Sequence, residues 1–97
     1  MTIEEVTSAV QEAFATGRYE ATRHFWQELR ADGFLLADVH SALDEISAVV
    51  EVGVGQSGNP KYEVAGQSTD GRSVCVVCSF KETGVLLLIT VYEGHRR

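Results

Sequence analysis

The chain has 97 residues, 44% of them apolar and 23% charged, with a formal charge of −6. That is the size and composition of one domain able to bury a core without disulfides or metals as staples, and it disfavours disorder or a coiled coil. No apolar run approaches the roughly 18 residues that span a bilayer, and Glu4 and Glu5 stand where a leader would be basic, so a cytoplasmic protein with no membrane partner is expected.

Thr2 followed by Glu5 forms a capping-box signature, and Ile3, Val6, Val10 and Phe14 share one helical stripe that Gly17 ends. A second helix is expected from an N-cap at Thr22, burying Phe25, Trp26 and Leu29 and stopping at Gly33. A third covers about residues 36–46, with Leu36, Val39, Ala42, Leu43 and Ile46 inward and Asp38 in its first turn. After Ser47 the period changes to two. Strands are expected at residues 48–54, 61–67, 72–80 and 85–92, separated by a loop at 55–60 and turns at 68–71 and 81–84. The expected fold is therefore α+β, with about three N-terminal helices packed on a four-stranded antiparallel meander. Strands 72–80 and 85–92 are apolar on both faces, which points to central positions or cover by a partner.

Charge is placed unevenly. Residues 1–48 hold nine acids against Arg18, Arg23 and Arg30, whereas residues 49–97 hold five of each sign. An acidic surface repels phosphate backbones at long range, so any RNA contact has to be local.

Cys75-Val76-Val77-Cys78 has CxxC spacing, but residues three apart on a strand point to opposite faces, and two β-branched valines resist a turn that would converge the sulfurs. No second cysteine pair or spaced histidine pair completes a tetrahedral site, so the cysteines read as buried small hydrophobes and no metal ion or cofactor is called for. His24 draws more interest. It opens a short helix that also carries Arg30, and an imidazole with a guanidinium has the elements of acid–base phosphoryl chemistry. The plainer reading gives the histidine to a backbone carbonyl and the arginine to Glu20, Glu28 or Asp32. Lys61, Arg72, Thr90 and Tyr92 fall on the expected strands and either add donors to the same cleft or are solvated strand residues. His40 reads as an exposed helix residue, and residues 95–97 as a basic tail.

Thr22-Arg23-His24, then Arg30, residues 37–43 (ADVHSAL), residues 61–66 (KYEVAG), Asp70-Gly71-Arg72 and residues 89–93 (ITVYE) together resemble the bacterial domain-of-unknown-function family four-two-five-eight. The resemblance takes in most of residues 19–93, leaving 2–16 as a helical N-terminal extension within one domain, 1–97. The layout of that family is in turn similar to the BrnT and RelE toxin ribonucleases, with helices on an antiparallel sheet and RNA against the sheet. What this implies is metal-free RNA cleavage, with His24 as acid or base, Arg30 and Arg72 steadying the phosphate, and Tyr92 or Lys61, with Thr90, orienting the substrate. Such a site needs His24, Arg30 and Arg72 to meet at one cleft. The competing expectation is a non-catalytic interaction module, a homodimer or the partner of a cognate protein in a toxin–antitoxin-like system, using the two-faced apolar strands as its interface.

Overall fold

The computed structural model describes residues 1–55 and 58–94. The basic tail at 95–97 and the middle of the 55–60 loop lie outside the described residues.

Helix α1, Ile3–Ala15, starts where the capping box places it: Glu5 N donates to Thr2 Oγ1 (3.1 Å) and Thr2 N to Glu5 Oε1 (2.7 Å). Val6, Val10, Ala13 and Phe14 are buried along one face, while Ile3, at the N-terminal end of the expected stripe, is exposed. Gly17, at φ 76°, reverses the chain into β1, Tyr19–Ala21. Helix α2, Arg23–Ala31, follows from an N-cap at Thr22 and buries Phe25 and Leu29. Trp26 is not buried with them. It packs edge-on against Phe25 and stays 39% exposed, because a nine-residue helix lodged at a sheet edge has too narrow an inward stripe for three large residues. Helix α3, Leu36–Asp44, buries Val39, Ala42 and Leu43, and strands β2 (Ala48–Val54), β3 (Pro60–Gln67), β4 (Ser73–Phe80) and β5 (Leu86–Glu93) complete the fold.

The α+β class holds, but the sheet has five strands and is mixed. Its order is β1-β5-β4-β3-β2: the four later strands form the expected antiparallel meander, and β1 adds a parallel edge against Leu86–Leu88. Where β1 stops, α2 takes over the same edge. Thr22 Oγ1 accepts from Phe25 N and donates to Ile89 O (2.7 Å), and at the far end Asp32 Oδ2 accepts from Glu93 N (2.9 Å), so both helix ends are tied to outward-facing backbone groups of β5. β4 and β5 are thus interior strands with neighbours on both sides, one of the two arrangements their doubly apolar pattern pointed to.

One face of the sheet carries Tyr62, Val64, Val74, Val76, Cys78, Leu86, Leu88 and Val91 into a core shared with α1 and α3. Gly66 lies on that face too, where the α3 backbone passes directly over it: a methyl group at Gly66 would sit 2.2 Å from the Ala42 carbonyl oxygen. Asp38 locks α3 to the β3–β4 hairpin. Its carboxylate accepts from Leu35 N (2.8 Å), Thr69 N (3.1 Å) and Thr69 Oγ1 (2.7 Å).

Candidate functional site

Strand alternation and register assemble the opposite face, which α1 and α3 leave free. Lys61 pairs with Ser79 and Ser79 with Leu87; Glu63 pairs with Val77 and Val77 with Thr90; Ala65 pairs with Cys75 and Cys75 with Tyr92. At the β4–β5 irregularity one extra residue, Ile89, enters β5. The Lys61 end of this face holds a groove of about 760 Å³, within the size range of small-ligand sites. Leu87, Ile89 and Ser79 line it, Lys61 contributes from β3, and Thr22 and His24 from the start of α2. Lys81 and Glu82 stand at its rim, with Lys81 Nζ 2.6 Å from Glu20 Oε1.

His24 reaches the groove because the Thr22 cap fixes the first turn of α2 against Ile89. The imidazole is exposed and, among the described residues, neither it nor the half-buried Lys61 ammonium enters any hydrogen bond or ion pair. Lys81 and Arg72 are engaged by protein acceptors, whereas, among the described residues, Lys61 and His24 present unengaged groups to one space. A second, shallower depression of about 470 Å³ lies on α3 beside His40 and Asp44, which are 3.8 Å apart. It holds none of the expected site residues.

The expected meeting of His24, Arg30 and Arg72 does not occur. Arg30 is exposed in the last turn of α2, about 9 Å along the axis from His24 and about two-thirds of a turn around it, so the two leave the helix in different directions. Arg72 lies at the other end of β4, about 24 Å of extended chain from Ser79. Its guanidinium stacks 4.2 Å above the Phe34 ring, donates to Asp32 O and Gly33 O (both 3.1 Å), and pairs with Asp70 (3.3 Å) and Glu93 (3.8 Å). It fastens the α2–α3 connection to the hairpin, and each of its three nitrogens donates to a protein acceptor.

Tyr92 and Thr90 share the groove's face but lie further along it. The Tyr92 hydroxyl donates to Glu63, and burial together with that carboxylate pushes the phenol far above its usual range, so it stays a neutral donor. Glu63 was not singled out in the sequence, and neither were Ser79 and Lys81. Alternation from Lys61 points to Glu63, whereas the other two are visible only once the β3–β4–β5 register is known.

Cys75 and Cys78 are free and buried on opposite faces of β4, Cys75 beside Ala65 and Tyr92, and Cys78 in the core, where burial raises its thiol to about 12. Neither is a thiolate near neutral pH. Among the described residues no cluster of three or more His, Cys, Asp or Glu side chains is arranged to hold a metal ion, and no helix is long and apolar enough to cross a membrane.

Compared with known proteins, the chain matches the family model described as Domain of unknown function (DUF4258) over residues 21–93. No curated protein and no solved structure matches it. The matched span runs from the end of β1 through β5 and contains the groove, the Asp38 and Arg72 anchors and Gly66, while α1 lies outside it. With three-quarters of its length matched, the chain belongs to the DUF4258 family.

Proposed function

We propose that the groove on the free sheet face binds a phosphodiester of single-stranded RNA and that the protein is an endoribonuclease working by side-chain acid–base catalysis. The observation that carries this reading is the pairing of an exposed imidazole with an unengaged ammonium, His24 and Lys61, in one groove over a partly apolar floor. The layout expected from the sequence, that of RelE- and BrnT-type toxins with RNA against an antiparallel sheet, lends it only an analogy of architecture, and the parallel edge strand β1 departs from that layout.

In this reading His24 takes the proton of a ribose 2′-hydroxyl, the 2′-oxygen bonds to phosphorus, and the P–O5′ bond breaks to leave a 2′,3′-cyclic phosphate. Lys61 offsets the charge that builds on the phosphoryl oxygens and passes a proton to the departing 5′-oxygen. It takes the place of the two arginines that the sequence suggested for the phosphate. Leu87 and Ile89 give a base an apolar surface, and Thr90 and Tyr92 extend the polar track along the sheet.

Induced expression in a bacterial host, with growth and RNA integrity as readouts, tests the proposal. Wild type is expected to degrade RNA, His24→Ala to do so at least about 100-fold more slowly, and Lys61→Ala to fall between the two. Intact RNA with wild type, or equal decay with His24→Ala, would remove the proposal.

A further inference from the structure

The two edges of the sheet are built differently. On one side β1 covers the start of β5 and α2 covers the rest through Thr22 and Asp32. On the other, β2 pairs with β3 and, among the described residues, has no strand beyond it. This seven-residue edge contains no lysine and no proline, its one charge is Glu51, and three of its valines are largely bare: Val50 54%, Val52 43% and Val54 62% exposed. An apolar free edge is a template for strand pairing, and natural proteins block such edges where no partner is meant to add.

We infer that β2 is the seat of a symmetric dimer in which two copies of this chain pair antiparallel, edge to edge, about a two-fold axis at Val50. Residues opposite each other in an antiparallel pair share a sheet face, so the axis has to pass through a residue and not between two. An axis at Glu51 would oppose two carboxylates. The axis at Val50 sets Val50 against its own copy and Glu51 opposite the second copy's Val49. The single charge avoids itself, and Val50 gains an apolar partner. The irregularity between Glu51 and Gly53 limits regular pairing to this first part of the strand.

Such a strand is about 24 Å long at most, so the contact belongs to the small, reversible class of interfaces. Each copy also brings a charge of −6. Added salt screens that repulsion and tightens the dimer, the opposite of what it does to a complex between unlike charges. Because the axis runs perpendicular to the sheet, the free faces of both copies point the same way, and two grooves come to lie on one continuous sheet.

Sedimentation equilibrium from about 5 to about 500 µM, at low and at high salt, tests this with the full chain. The expected mass climbs from 10.6 kDa towards twice that value, and at a lower concentration in high salt. Val50→Lys holds the mass at the monomer value, whereas Leu35→Ser, which removes another bare apolar side chain (71% exposed), leaves the dimer intact. Hydrogen exchange on the wild type needs no variant and reads added protection confined to β2 amides at the higher concentration. A mass of one chain throughout the range would overturn the inference and leave the edge to a strand from another protein. So would a dimer that survives Val50→Lys, one that salt dissociates, or added protection outside β2.

Discussion

Gly66→Ala is expected to destabilise the protein by about 3 kcal/mol or more, among the largest effects of any single substitution in the chain. The added Cβ would lie 2.2 Å from the Ala42 carbonyl oxygen and within 2.8 Å of the Ala42 Cα and carbonyl carbon. All three obstacles are α3 backbone, which no rotamer change can move aside, so the helix has to lift from β3 and open the packing around Val39, Leu43 and Val64. In a domain this size the midpoint of thermal unfolding should fall by roughly 12 °C or more. A variant within about 1 kcal/mol of wild type would mean that α3 does not rest on β3 as described.

Asp38→Ala ranks next, at about 3 kcal/mol, because one carboxylate serves two backbone amides and a hydroxyl that would be left without an acceptor beneath α3. The backbone bond from Leu35, followed by the Thr69 hydroxyl, holds the Asp38 carboxyl below the usual aspartate range, and Arg72 adds to this. The folded state therefore binds this proton less readily than the unfolded chain. The stabilisation is complete above the unfolded pKa, near 3.9, and disappears as the pH falls through the lower folded value. Asp70 and Glu5 are lowered as well, but they titrate in both proteins. Urea unfolding at pH 7 and near pH 3 should show wild type losing more stability than Asp38→Ala. Equal losses would assign the acid sensitivity to other carboxylates.

Local signals carried most of the fold. Both threonine caps, the helical stripes of α1 and α3, the left-handed glycines 17 and 33, and the alternating strands depend on neighbours a few residues away, and each is found where its spacing placed it. What local pattern could not reveal was pairing at a distance. β1 is three residues, too short for its alternation to signal a strand, and it exists because Leu86–Leu88 lies beside it. The seat of α2 on the β5 edge likewise depends on partners more than sixty residues away in the chain. That placement decides the fate of Trp26.

The same division runs through the site. His24 and Lys61 stood out by chemistry, and the structure places both in one groove. Arg72 stood out equally, yet its donors are taken up by Asp32, Gly33, Asp70 and Glu93. Several residues that carry the family resemblance turn out to have structural jobs: Asp38 and Arg72 anchor the hairpin, and Gly66 admits α3.

The claim on which the functional account rests is that the His24–Lys61 groove receives a nucleotide phosphate. Proton–nitrogen NMR during titration with uridine 3′-monophosphate, run beside inorganic phosphate, tests it directly. Saturable shifts at His24, Lys61, Ser79 and Ile89, stronger with the nucleotide and weakened by Lys61→Ala, are the predicted result. No shift in the groove up to about 10 mM ligand, or shifts centred on Arg72 and Glu93, would contradict the account.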